Sequence, residues 1–242
     1  MSNFVLVHGS WHGAWCWRDL TPRLEALGHR VVTLDLPGHG EDQSPPQAVT
    51  LQSYADRVGA ALGEFSEPAV LVGHSMGGIA ISQAAEQFPE KIASLVYLCA
   101  FLLQNGQPLV QVALADQASS LIPNLMPDEA GAVMRLKDGN LADVFYADCA
   151  PETAEWALAQ LRPDPIAPVG TPIQITDANY GRIPRYYIEC LQDRAVSPSV
   201  QKVMYTAMPC RRVISMQTSH SPFLSAPGEL AGHLAEIDRE SR

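Results

Sequence analysis

The chain has 242 residues, with 26 Asp and Glu against 16 Lys and Arg, a net charge of −10 and a pI near 5.1. That balance argues against a nucleic-acid surface, which needs clustered basic side chains, and disfavours an anionic membrane face. The length suits one large α/β domain with an insertion, or two small domains, and no run approaches the roughly 18 apolar residues of a membrane-spanning helix.

In chain order, Met1-Ser2-Asn3 passes directly into Phe4-Val5-Leu6-Val7 without a basic n-region or cleavage site, so no secretory signal is expected. Phe4 to Val7 is a continuous apolar run, as a strand buried on both faces requires. It ends in His8-Gly9-Ser10-Trp11-His12-Gly13. A helical pattern follows from Ala14 to Leu27, with Gly28 as its C-cap. Val31 to Leu36 is a second buried strand, stopped by Pro37-Gly38-His39-Gly40. Glu41 to Val49 is a polar, Pro-rich loop, and Thr50 can cap a helix to about Leu62. Ala69-Val70-Leu71-Val72 reads as a strand, followed by a turn of small residues and a helical pattern from Ile79 to Phe88. Ile92 to Leu98 is the next strand. Strands alternating with helices of this length predict an α/β protein with a mostly parallel, doubly wound sheet. The alternation breaks from about Leu102 to Tyr180. Short helical patterns such as Pro151 to Leu161, and a return segment marked by Pro163, Pro165, Pro168 and Pro172, predict a mostly helical insertion there. Residues 1–101 and 181–242 are then the core, and 102–180 a helical cap inserted after the strand ending near Leu98. A strand at Arg185 to Leu191, a helix at Ser197 to Met208, a strand at Arg212 to Met216 and a helix at Ala226 to Ile237 complete the core. The cysteines Cys16, Cys99, Cys149, Cys190 and Cys210 are scattered and show no C-x-x-C spacing. They read as buried thiols in a reducing compartment, and a cytoplasmic protein is expected.

The chemistry centres on Gly73-His74-Ser75-Met76-Gly77, a G-x-S-x-G between a strand and a helix, which is the context of a nucleophile elbow. A nucleophile at the tip of so tight a turn has strained backbone angles, and its neighbours must lack bulk; Gly73, Gly77 and Gly78 supply that. Ser75 then lies at a helix N-terminus, where N–H groups and the helix dipole favour negative charge. A glycine-rich turn with a solvated serine has the same local pattern, so the partners decide. A serine hydroxyl needs a base, and open α/β sheets bind ligands at the carboxyl ends of their strands. Of the seven histidines, His220 lies in the loop after the last strand, at that edge. His29 and His233 are expected on the surface, His39 in a loop, and His74 inside the elbow pointing away from the nucleophile, while His8 and His12 flank the first loop. Asp193 opens the loop after Tyr186–Leu191 and is the carboxylate that can fix the tautomer of His220; an ion pair with Arg194 is its other reading. The oxyanion donors are expected to be the N–H groups of Met76 and Ser10. Gly9 keeps the first loop open, Trp11 and His12 are pocket wall and loop support, and these three with Trp156 are the residues expected to touch substrate. Trp156, Phe145, Leu121 and Met126 of the cap are candidate wall residues, or else cap-core packing. No metal and no cofactor is called for.

Three stretches together are specific: Phe4–Trp15, then Leu34-Asp35-Leu36-Pro37-Gly38-His39-Gly40, then Val72–Gly78. They resemble the α/β-hydrolase superfamily, and more narrowly the branch that holds plant methylesterases, plant hydroxynitrile lyases and small bacterial esterases including pyrethroid hydrolases. The resemblance covers nearly all of the core and weakens from about Leu102 to Tyr180. It implies Ser75 as nucleophile, Asp193 as acid, His220 as base, Ser10 and Met76 as oxyanion donors, and a small-molecule carboxylic ester with a hydrophobic part as substrate. It admits a homodimer. The lyases of the branch carry a threonine and a lysine in the site, and the matching positions here are Gly9 and Ser221, which favours ester hydrolysis. The rival readings are a carbon–carbon or cyanohydrin lyase on the same constellation, a hydrolase-fold receptor for a small ligand, and a cofactor-free oxygenase built on a His–Asp pair.

Overall fold

The computed structural model describes residues 1–137 and 139–241. Along the chain run β1 (Asn3–Val7), α1 (Thr21–Ala26), β2 (Arg30–Leu34), α2 (Leu51–Leu62), β3 (Ala69–His74), α3 (Gly77–Gln87) and β4 (Ile92–Leu98). The insertion follows with α4 (Leu109–Ala115), β5 (Leu125–Pro127), β6 (Val133–Leu136), α5 (Leu141–Phe145), α6 (Pro151–Gln160), β7 (Asp164–Pro165) and α7 (Ile166–Gly170). Then come β8 (Arg185–Cys190), α8 (Pro198–Ala207), β9 (Arg212–Met216), α9 (Pro222–Ser225) and α10 (Pro227–Ser241).

Six strands form one sheet in the order β2-β1-β3-β4-β8-β9, and every neighbouring pair is parallel. The unbroken apolar runs of the central strands follow from having a core on each face. Side chains alternate: Val5, Val7 and Leu71 join one cluster with Tyr54 and Ile79 from α2 and α3, while Phe4, Leu6, Val70 and Val72 join a second with Leu24 of α1 and Leu230 and Leu234 of α10. Because all six strands run the same way, the loops after β1, β3, β8 and β9 open at one edge.

The local signals act as expected at several joints. Thr50 and Ser53 form a reciprocal cap on α2, with Ser53 N–H donating to Thr50 Oγ1 and Thr50 N–H to Ser53 Oγ, both at 3.0 Å. Gly28 takes φ +86° just past α1, and its N–H donates to Glu25 O at 2.9 Å.

Three expectations need correction. The pattern from Ala14 to Leu27 is a 3₁₀ turn (Ala14–Trp17) and the separate helix α1; Pro22 sits in the first turn of α1, where its missing N–H is harmless but where it cannot extend a helix from upstream. The second strand stops at Leu34, lies at the sheet edge and is only half-buried over Val31–Thr33. The insertion holds an antiparallel sheet, β5-β6-β7, as well as helices. All five cysteines are free; Cys16, Cys99 and Cys190 are buried.

Candidate active site

The elbow follows from crowding. Ser75 has φ +52°, a left-handed angle that a serine holds only when its surroundings enforce it. Its N–H donates to Leu98 O at 3.2 Å, and its carbonyl accepts from Gly78 N–H (3.1 Å) and Phe101 N–H (3.0 Å). A Cβ on Gly77 would come 2.6 Å from His8 O, and one on Gly78 would come 2.3 Å from Phe101 O. The turn is therefore wedged between the loops after β1 and β4. Gly9 is packed closely against it: a Cβ there would lie 2.7 Å from Ser75 Cβ.

His220, in the loop after β9, donates from Nδ1 to Asp193 Oδ2 at 2.7 Å, and both residues are buried. The carboxylate is otherwise fully engaged. Its Oδ1 accepts the N–H groups of Ala195 (2.8 Å) and Val196 (2.9 Å), and its Oδ2 accepts Gln201 Nε2 at 3.2 Å. Arg194 does not pair with Asp193; it reaches Asp143 of α5. Gln201, fully buried on α8, also donates to Val196 O (2.8 Å) and accepts Cys190 N–H (3.2 Å). Its role was not legible in the sequence, since a glutamine one turn into a helix carries no motif.

His74 lies beneath the base. Its Nε2 donates to His220 O at 2.8 Å, and the two rings stand 4.5 Å apart. Burial, reinforced by the neighbouring His220, holds His74 well below the ordinary histidine pKa. It remains neutral beside an imidazole that must be free to accept a proton. His8 is held low by burial and by His39, and spans from Gly9 O (2.8 Å) to Leu36 N–H (3.1 Å). Burial pushes His12 down to about 4; its Nδ1 donates to Ser10 O (2.7 Å) and its Nε2 accepts the Tyr146 hydroxyl (2.8 Å). Ligand-type atoms of His74, Cys99 and His220 lie within 4.8 Å of one another. Burial, the principal cause, raises the Cys99 thiol well above its ordinary pKa, so it is protonated and a poor metal ligand.

A cavity of about 90 Å³ opens over the elbow, bordered by Ser10, Trp11 and Ser75 from the core side and by Leu109, Leu121 and Met134 from the insertion. The N–H groups of Ser10 and Met76 donate to no protein acceptor among the described residues. Trp11, at φ +60°, is pinned at three points. Its N–H donates to Asp164 Oδ1 (3.2 Å), its indole N–H to Met134 O (2.9 Å), and its carbonyl accepts Arg162 N–H (3.1 Å).

Of the four residues expected to touch substrate, Trp11 borders the cavity and the other three do not. Gly9 is packed against Ser75. His12 has both ring nitrogens committed to protein partners. Trp156 of α6 is half-buried against the second core cluster, under the Arg18 guanidinium at 3.6 Å and edge-on to Trp15. Among the other cap candidates, Leu121 borders the cavity, Phe145 packs on Trp11, His12 and His220, and Met126 is exposed.

Comparison with known proteins adds to this geometry. The Alpha/beta hydrolase family pattern matches residues 4–233. Methylesterase 1 of Arabidopsis thaliana is 33% identical over 97% of this chain and 95% of its own. A chloroplastic methylesterase relative from the same plant is 34% identical over 99% of this chain, which spans only 65% of that longer protein. Among solved structures, the pyrethroid hydrolase PytH superposes with a TM-score of 0.87 at 29% identity, covering 98% of this chain and 96% of its own. Tomato methylketone synthase I, complexed with 2-tridecanone, superposes with a TM-score of 0.85 at 25% identity, covering 100% and 99%. Neighbours of this shape therefore carry more than one kind of reaction name.

Proposed function

This chain belongs to the alpha/beta hydrolase family, and from that premise we propose that it is a serine carboxylesterase acting on small to medium esters with a hydrophobic acyl or alcohol part. The observation that carries the reading is the 2.7 Å bond from His220 Nδ1 to Asp193, in a loop whose backbone is tied to His74 of the elbow. With Nδ1 protonated and held, Nε2 of His220 is the free base. Ser75 attacks the ester carbonyl and His220 takes its proton. The N–H groups of Ser10 and Met76 hold the oxyanion, and loss of one such donor typically costs ~10²–10³ in turnover. The alcohol leaves with the proton from His220. Water, activated by the same imidazole, then releases the acid.

The methylesterase relatives and the apolar cavity lining support an ester with a hydrophobic part. The lyase alternative requires a cation near a departing cyanide, and among the described residues no lysine or arginine borders the cavity; position 221 is a serine. The test is a panel of methyl, aryl and pyrethroid-type esters with p-nitrophenyl acetate, together with mandelonitrile. Ester turnover should vanish in Ser75→Ala, a fluorophosphonate probe should label Ser75, and no cyanide should appear above the buffer rate. Labelling at Ser10 or Ser221 instead, or cyanide release that depends on Ser75 without esterase activity, would overturn the reading.

A further inference from the structure

Three loops at the carboxyl edge of the sheet, after β1, β8 and β9, are each held by an aspartate from the insertion. Asp164 of β7 takes the N–H of Trp11, next to the Ser10 donor, at 3.2 Å. Asp116, at the end of α4, takes both the N–H and the hydroxyl of Ser197 (2.8 and 2.7 Å), closing the loop that begins at Asp193. Two further bonds reinforce that joint, Ser119 Oγ to Ala195 O (2.7 Å) and Ser120 N–H to Arg194 O (2.8 Å). Asp148, after α5, takes the N–H of Ser219 at 2.9 Å and its hydroxyl, one residue before His220. We infer that Asp164, Asp116 and Asp148 are positioning residues, so that the insertion fixes the geometry of the oxyanion loop, the acid loop and the base loop as well as roofing the cavity.

Asp164 shows the reason most clearly. Trp11 has φ +60°, an angle an aromatic residue keeps only under restraint. The bond to Asp164 holds that peptide unit, and through it the orientation of the Ser10 N–H. A buried carboxylate bordering the cavity would oppose a forming oxyanion if left unpaired. His39 meets it: His39 Nε2 lies 2.5 Å from Asp164 Oδ1, with both side chains almost wholly buried. His39 is in turn placed by Tyr54, whose hydroxyl is 3.4 Å from Nδ1. A second buried His–Asp pair thus links core to insertion beneath the oxyanion loop, and the reaction step itself does not use it.

The inference rests on the esterase reading, and p-nitrophenyl acetate separates the two. Its acetyl group is too small to need the roof, so a purely structural role for these aspartates would alter stability or KM and leave kcat alone. A positioning role predicts that Asp164→Ala lowers kcat by about 10- to 100-fold with KM within about twofold, because small misplacements of reacting groups cost that much. Inhibition by a trifluoromethyl ketone, which forms a tetrahedral oxyanion on the serine, should weaken in the same proportion. Asp164→Asn keeps a carbonyl oxygen for Trp11 N–H and should recover most of the loss. Asp148 is exposed, so Asp148→Ala should fold and still lose kcat on this substrate, which keeps the test open if Asp164→Ala does not fold. Wild-type kcat in Asp164→Ala and Asp148→Ala, or an Asn variant no better than Ala, with turnover still dependent on Ser75, would overturn the inference alone. Turnover that survives Ser75→Ala would overturn the esterase reading and this inference with it.

Discussion

At the scale of residues, His12 shows what a neutral buried imidazole costs. Burial pushes it down to about 4, against about 6.5 in an unfolded chain. Between those two values the unfolded state binds the proton and the folded state does not. Its contribution is therefore complete above about pH 6.5 and is lost as pH falls toward 4, with a slope of about 1.4 kcal/mol per pH unit for one proton. His8 and His74 are depressed in the same direction and add to the slope. Urea unfolding followed from pH 7.5 to pH 4.5 should show stability falling steeply below about pH 6.5, and His12→Gln should reduce the slope by about one proton. A slope identical in the variant would show that His12 is not the residue that resists protonation. The candidate residues could be picked out because each has a local marker: Ser75 by its glycines, His220 and Asp193 by lying just after strands. Asp164 and Asp116 were not. Their partners Trp11 and Ser197 lie 153 and 81 residues away, and an isolated aspartate has no signature until the fold chooses its partner.

The strand–turn–helix of β3 and α3 is the element on which the site depends, and its glycines are set by neighbours and not by the turn alone. A methyl group on Gly78 would sit 2.3 Å from Phe101 O, in a backbone already bonded to Ser75 O. Backbone cannot rotate aside as a side chain would. Gly78→Ala should therefore destabilise the fold by about 1–3 kcal/mol, as overpacking does, and should lower kcat because the displaced segment carries a hydrogen bond to Ser75. Denaturant midpoints together with esterase rates check this; a variant as stable and active as wild type would mean the loop after β4 yields freely. The core strands could be read directly because burial on both faces leaves unbroken apolar runs. The strands β5, β6 and β7 could not. They are three, four and two residues long, two of them end in proline, and Leu125, Met134 and Leu136 are only partly buried. No period can develop over so few residues, and proline in a strand reads as a breaker. The half-buried edge strand β2 misled in the opposite sense, since Val31 and Val32 look the same whether one face is covered or two.

For the whole molecule, the question is how a core and an insertion divide the work. On the proposed reading the core supplies the reacting groups at one edge of a parallel sheet, and the insertion borders the cavity above them with apolar side chains. Asp116 and Asp164, the carboxylates that border the cavity, are tied to Ser197 and to His39. On the proposed esterase reading, selectivity inside the cavity comes from apolar contact and room. Leu121 contributes to that wall from the insertion, and Leu121→Ala removes apolar volume without touching any of the groups that react. A longer chain can occupy the space released, and each buried methylene is worth about 0.8 kcal/mol, or roughly a fourfold gain in kcat/KM, until the space is filled. The expected outcome is a rise in kcat/KM for butyrate and hexanoate relative to acetate among p-nitrophenyl esters, or for the longer alcohols in a series of acetate esters, depending on which half of the substrate lies under the insertion. The acetate rate itself should stay close to wild type, because Ser75, His220 and their supports are unchanged. If neither series shifts, the cavity over Ser75 is not where the hydrophobic half of the ester binds, and the specificity assigned to the insertion would have to lie in another part of the molecule.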